Sequence, residues 1–314
     1  GASSCVPATA FESSGAKIGP QELEELLKTD EIKYMSEMMN FPGVLFGDKE
    51  VSEKLAIAKK YHKPVDGHAP GLTGDDAKKY VQAGISTDHE CFTLEEARDK
   101  IKYGMKILIR EGSAAKNFEA LISLMDDHPD DVMFCSDDKH PNDLVEGHIN
   151  QLVKRAIAKG YDPIRVLRSC VLNPIRHYNL DVGMLQQGDD ADFILVDNLE
   201  DFNVQATYIN GERVARQGET LIPVIEESEP NIFRAEKISS RAISVPAESE
   251  RIKVIEALDG QLITNTVYAD AKLSGDQIVS DTEHDILKLV VMNRYQRSRP
   301  QVAFIKNFGL KRGA

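Results

Sequence analysis

The chain has 314 residues, 41% of them hydrophobic and 28% charged, a make-up that supports a sizeable buried core and excludes a disordered polymer. Its formal net charge of −13 excludes a nucleic-acid backbone as partner, because phosphate binding needs a basic stripe. No apolar run approaches the ~20 residues that cross a bilayer, so no membrane partner is expected. Residues 1–7 lack the basic and apolar regions of a signal peptide. The cysteines (Cys5, Cys91, Cys135, Cys170) lie far apart without a CxxC spacing, and read as reduced thiols of a cytoplasmic protein.

Residues 1 to about 180 alternate short strand-like runs with longer helix-like ones. Residues 3–7 read as the end of a strand, and Pro20 opens a helix over 20–27. Residues 32–35 predict a strand ending at Glu37, and 52–61 a helix with Leu55, Ile57 and Ala58 turned inward. A strand over 64–68 exits at His68, a helix over 74–83 ends at Gly84, and a strand over 85–89 follows. A helix over 94–103, a strand over 106–111, a helix over 118–125 and a strand over 132–137 complete the series. Such repetition implies parallel strands joined by right-handed crossovers, in a barrel or a doubly wound sheet. Candidate groups at the carboxyl ends of several different strands favour the barrel mouth, with an open sheet as the alternative.

Beyond about Leu180 the pattern changes. Residues 183–197 give a turn and then a β run, and 204–209 with 212–215 form a hairpin on Asn210-Gly211. Residues 220–250 carry Pro223, Pro230, Pro246 and many charges, and read as a linker. A β-rich segment over 252–279 turns at Asp259-Gly260 and Ser274-Gly275-Asp276, and strands over 286–291 and 302–305 follow.

Four strand ends set a metal-ligating residue type beside a turn: Glu37 before Met38-Met39-Asn40, His68 in Asp66-Gly67-His68-Ala69-Pro70-Gly71, His89 in Thr87-Asp88-His89-Glu90, and Asp137 in Cys135-Ser136-Asp137-Asp138. A neutral imidazole on a rigid strand end suits zinc, manganese or iron. Each residue also has an ordinary reading: His68 as a loop histidine, Glu37 as a surface or capping group, Asp137 as the N-cap of a following helix. Asp88 and Glu90 suit orientation of the His89 ring or simple solvation. The Asp137-Asp138 pair can divide its roles, one on a metal and one binding or moving protons. Arg110 and Glu111 at their strand exit suit substrate binding or, for Arg110, an internal ion pair. His128 and His140 precede prolines and read as loop residues; His148 and His177 read as structural. No P-loop, dinucleotide fingerprint or G-x-S-x-G elbow is present.

Glu37, His68, His89 and Asp137, in this order, resemble the ligand series of the metallo-dependent amidohydrolases. Residues 183–196 resemble the point where such chains leave the barrel for a small β-sandwich. Longer strings are similar to the bacterial adenine deaminases of that superfamily: Ser3-Ser4-Cys5-Val6-Pro7-Ala8, Glu37-Met38-Met39-Asn40-Phe41-Pro42-Gly43-Val44, Asp66-Gly67-His68-Ala69-Pro70-Gly71-Leu72, Ile109-Arg110-Glu111-Gly112-Ser113-Ala114-Ala115 and Cys135-Ser136-Asp137-Asp138.

The resemblance implies an α/β fold. A partial (β/α)8, TIM-like amidohydrolase barrel would span 1–182 with strands three to eight. A β-sandwich segment over 183–225, a linker over 226–250 and the start of a β-rich α+β C-terminal domain over 251–314 would follow. It implies a binuclear divalent metal site, manganese or iron with zinc as the alternative, held by Glu37, His68, His89 and Asp137. Asp137 and Glu90 would be catalytic, and Asp138, Arg110 and Glu111 would bind substrate. The implied reaction is hydrolytic deamination of adenine to hypoxanthine and ammonia in purine salvage, by a homo-oligomer. The family's first-strand His-x-His and second-strand Asp-Pro-His-Glu have no counterpart here. The chain is therefore expected to open at the third strand, with the N-terminal segment supplied elsewhere, as a separate polypeptide in one reading. Two alternatives stand beside this one: an amidohydrolase for a cyclic amide or an amino-sugar phosphate, and an inactive fragment acting only as a subunit.

Overall fold

The structure, a computed structural model, describes residues 1–8, 12–226, 228, 231–259 and 263–310. The expected turn residue Gly260, the linker residue Pro230 and residues 311–314 lie outside the described residues. Two compact units are present: Gly1–Glu12 with Ala16–Glu227, and Ser13–Gly15 with Ser228–Ala314.

The first unit begins α1 (Pro20–Leu27), β1 (Met35–Met38), α2 (Phe41–Phe46), α3 (Lys49–Lys60), β2 (Val65–Gly67), α4 (Gly74–Gln82) and β3 (Thr87–Asp88). It continues α5 (Leu94–Lys102), β4 (Lys106–Arg110), α6 (Phe118–Leu121), α7 (Leu124–Asp127) and β5 (Val132–Cys135). Pairing is parallel throughout: β1 with β2, β3 with β4, and β4 with β5. Parallel bridges Ala2–Met35 and Val65–Ile85 extend the pairing before β1 and between β2 and β3. Spatial order therefore follows chain order without reversal. A doubly wound sheet reverses at a switch point, whereas a barrel wall does not, so the arrangement is TIM-barrel-like.

The helices form where caps and apolar spacing coincide. Asp48 and Thr93 accept from the backbone N–H of Val51 and Glu96 and so close the first turns of α3 and α5. Leu23, Leu27, Ile57, Ala58, Ala77 and Tyr80 then pack on Met35, Met38, Val65 and Ile85. A second cluster joins Ile107, Ile109, Val132 and Phe134 to Ala97, Ile101, Phe118 and Leu121. This packing fixes the strands, and thereby the residues at their ends.

Three expectations need correction. The strand over 32–35 is displaced to Met35–Met38: its pairing begins where the Met35 N–H reaches the Pro64 carbonyl at 3.0 Å, and its partner starts at Val65. The run 3–7 forms no strand but only an isolated antiparallel bridge of Val6 to Ile18, and the Ser3 hydroxyl turns back onto the Cys5 carbonyl at 3.0 Å. The helix over 118–125 is two short helices, broken where bonding tightens from Ile122–Phe118 to Met125–Ile122.

After β5 come α8 (Pro141–Glu146), α9 (Ile149–Ala158), α10 (Pro163–Leu167), a π-helical turn Arg168–Leu172 and α11 (Asn173–Tyr178). An antiparallel meander follows: β6 (Phe193–Val196), β7 (Val204–Ile209), β8 (Glu212–Arg216) and β9 (Glu219–Thr220). Its tight turn has both Asn210 and Gly211 at positive φ, 51° and 77°, as the twist of a two-residue hairpin requires.

The second unit holds a 3-10 turn Ser240–Ile243, β10 (Val245–Pro246), β11 (Arg251–Ala257), β12 (Thr264–Asp270), β13 (Leu273–Ser274), β14 (Gln277–Ile278), β15 (Ile286–Val291) and β16 (Gln301–Lys306). Its two sheets run β12-β11-β16-β15 and β10-β14-β13, over a core of Ile252, Val254, Ile278, Ile286 and Phe304. Among the described residues no helix is long and apolar enough to cross a membrane.

Candidate metal centre

The carboxyl ends of the five parallel strands each deliver one or two polar side chains. Glu37 stands on β1, His68 follows β2, His89 and Glu90 follow β3, Arg110 closes β4, and Asp137 lies just past β5. Two local devices hold the first pair of exits. Tyr80 of α4 accepts from the His68 N–H at 3.0 Å and donates to the Met38 carbonyl at 2.9 Å. Gly67 leaves no room for a side chain, since a Cβ there would lie 2.3 Å from the Thr87 carbonyl oxygen. Strands β2 and β3 approach closely only because that methyl is absent.

Glu37 Oε2 lies 2.9 Å from His68 Nδ1 and 3.1 Å from His89 Nε2. Glu90 Oε1 lies 3.3 Å and 3.2 Å from the same two nitrogens, and Asp137 Oδ2 is 3.9 Å from His89 Nε2. The two imidazoles meet edge to face with centroids 5.5 Å apart. Arg110, buried, donates to both Glu90 oxygens, at 2.8 Å from Nη2, and from Nη1 to Asp137 Oδ2 at 2.5 Å. Asp137 adopts a left-handed backbone, φ 52°, a region that aspartate tolerates better than most residues.

The electrostatics describe a site crowded with carboxylate. Burial alone would push the Glu37 carboxyl up, but the His68 and His89 contacts outweigh it and hold it well below the usual carboxylate range. Burial works against the Glu90 carboxylate too, yet His89 and Arg110 bring its pKa down to about 2. Burial would lower His89; Glu37 and Glu90 instead raise it to about 10. His89 Nε2 is nonetheless buried without a properly angled hydrogen bond, although two carboxylate oxygens lie close by. A buried ring nitrogen among carboxylate oxygens, with no well-angled hydrogen bond of its own, is a position where a divalent cation would replace the ring proton. The sets Glu37–His68–His89 and His89–Glu90–Asp137 each bring their ligand atoms within 4.8 Å of one another. The residues present therefore fit a metal.

The other sequence candidates fall outside this cluster. Glu111 accepts from Arg155 Nη1 at 2.6 Å, and Asp138 is exposed, its backbone carbonyl accepting from the Ser113 N–H. Arg110 is close to the centre but engaged by two carboxylates. His148 bonds the Ser136 hydroxyl at 2.8 Å and His177 the Ser86 hydroxyl at 3.1 Å. A cleft of about 430 Å³ opens beside the centre, lined by Glu37, Asp66, His89, Cys135, Asp137 and Tyr178 among others. Asp66 was not singled out in the sequence. Buried, it accepts from Thr87 Oγ1 at 2.8 Å and Tyr178 Oη at 2.9 Å, and burial raises its pKa. Strand periodicity was the available signal, because Asp66 lies two residues before His68.

Parallel strands in chain order, with histidines and carboxylates gathered at their carboxyl ends, are the layout of a barrel metallohydrolase. Residues 1–214 match the model of the amidohydrolase family, and the chain belongs to that family. Residues 261–314 match the adenine deaminase C-terminal domain. Over its full length the chain is 52% identical to an adenine deaminase of Salinibacter ruber, 50% to one of Methanosarcina acetivorans and 52% to one of a Sulfurovum species. It spans 58%, 59% and 57% of those relatives' lengths. Among solved structures, a β-aspartyl dipeptidase from Fervidobacterium islandicum AW-1 superposes with a TM-score of 0.50 at 18% identity, over 70% of this chain and 64% of that one. That likeness concerns the fold alone.

Proposed function

We propose that this chain supplies the strand-end ligands of a metal-dependent adenine deaminase, which converts adenine and water to hypoxanthine and ammonia. The observation that carries the reading is the convergence of Glu37, His68 and His89 on one point in a chain about half identical to adenine deaminases. In the same reading, 1–182 is the part of a (β/α)8 barrel from strand three to strand eight, 183–225 a β-sandwich segment, 226–250 a linker, and 251–314 the start of a further domain.

Glu37, His68, His89 and Asp137 would hold a binuclear divalent site, manganese or iron in our assignment. Such a metal, when bound, lowers the pKa of water so that hydroxide is present near neutral pH. Asp137 takes a proton of the attacking water as the C6–O bond forms and passes it to the amine that departs when the C6–N bond then breaks, while the water's other proton ends on N1 of the hypoxanthine. Its Arg110 partner keeps the carboxylate oriented between transfers. Glu90, with both oxygens on Arg110, serves to hold charge against His68 and His89 rather than to carry protons. Asp138 remains the candidate contact to the purine; Glu111 is not, its carboxylate being engaged by Arg155.

The test is turnover by the metal-loaded full-length protein, read as ammonia released from adenine, ring opening of a cyclic amide, and acetate released from an N-acetylated amino-sugar phosphate. Turnover of adenine alone is expected. Turnover of either competitor in its place would overturn the substrate assignment.

A further inference from the structure

Beside the candidate centre lies a second, fully buried ionic cluster that the reaction does not use. Lys100 of α5 points its ammonium at Asp88, Glu96 and the Ala69 carbonyl, the last two at 2.7 Å, with Cys91 Sγ at 3.6 Å. Asp88, Cys91 and Glu96 alone have the spacing of a metal site. The ammonium already sits among them, so the resident cation there is the lysine. An ammonium has three protons, and these three oxygens account for all of them.

The partners of Lys100 are the chain segments that carry the histidines. Ala69 directly follows His68, and Asp88 directly precedes His89. Asp88 Oδ1 also accepts from the Glu90 N–H at 2.9 Å and lies 3.5 Å from the Ala69 N–H. Glu96 extends the tie, accepting from the Gly71 N–H at 2.8 Å and the Phe92 N–H at 3.1 Å. These N–H and C=O groups lie past the ends of β2 and β3, where no ladder bonds remain to satisfy them.

We infer that Lys100 is a positioning residue: through Asp88 and the Ala69 carbonyl it clasps the two strand exits together, fixes His68 relative to His89, and so sets the affinity for metal. The inference rests on the reading of Glu37, His68 and His89 as ligands. Partners that orient ligands without touching the metal typically contribute 10–100-fold in metal affinity.

Two variants of the full-length protein test it, with Mn2+ or Zn2+ alone as the probe in chelator competition. Lys100→Met combined with Asp88→Asn and Glu96→Gln removes the clasp without leaving a buried charge unpaired. Asp88→Asn alone keeps the acceptor for the Glu90 N–H and removes only the ion pair. The triple variant is expected to fold and to lose about tenfold or more in metal affinity. The single variant leaves Lys100 paired with Glu96 and should lose several-fold in metal affinity, with a metal-free protein that still folds at a lowered unfolding midpoint. In both, kcat for adenine should fall at limiting metal and recover with excess metal, with KM unchanged. If the triple variant fails to fold, the single one decides. A folded variant that binds metal like the wild type overturns the inference alone. A wild-type protein that binds no metal overturns the ligand reading and the inference with it.

Discussion

Arg110 grips both carboxylate oxygens of Glu90, and each side chain is only 1% exposed. Buried pairs of this kind reveal themselves when one partner is removed, since the other is left charged and unsolvated. Arg110→Met should therefore destabilise the protein by about 3–5 kcal/mol, read as a lower denaturation midpoint. Arg110→Lys keeps the charge but loses the two-pronged contact, and should fall between. An Arg110→Met protein that unfolds with the wild type would show that the pair contributes nothing.

Asp137→Asn in the full-length protein removes the proposed proton carrier while leaving Arg110 paired to Glu90. Asparagine accepts the left-handed backbone at this position. Turnover should drop about 10²–10⁴-fold with an unchanged circular dichroism spectrum and unfolding midpoint. Near-normal activity would move proton transfer to Glu90 or Asp138.

Divalent metal should stabilise the folded protein. Saturation to about a hundred times Kd adds about 2.7 kcal/mol, visible as a higher thermal midpoint that a chelator reverses. His89→Ala should abolish the shift. A metal-induced rise that survives this substitution would place the binding site elsewhere.

His177 provides a pH dependence away from the metal centre. Burial, assisted by the Lys106 charge, lowers its pKa from 6.5 to about 4. The folded state thus holds the neutral ring where the unfolded chain would take up a proton. This contribution to stability is complete above about pH 6.5 and is lost progressively as pH falls to about 4. His177→Gln should flatten the fall in unfolding midpoint across that window. An identical slope in the variant would assign the dependence to other groups.

Much of the framework was legible because local signals and tertiary context agree. The Pro20 start, the apolar run of β4 and the Asn210-Gly211 turn each appear where the sequence predicts them. The convergence of Glu37, His68 and His89 was legible too, as ligand types at successive strand ends. Three things were not. The start of β1 depends on where its partner escapes Pro64, a non-local condition. The choice for Arg110 between substrate and ion pair depends on the reach of Glu90, twenty residues away. Lys100 reads as one more surface charge on an amphipathic helix, and only the packing of α5 shows it buried.

The missing methyl at Gly67 has a consequence for the spacing of the two imidazoles. It sets how near the strand bearing His68 can come to the strand bearing His89, and hence the width of the opening between their nitrogens. Position 67 acts as a gauge block in that sense: alanine there would wedge the strands apart and widen the gap between the two imidazoles.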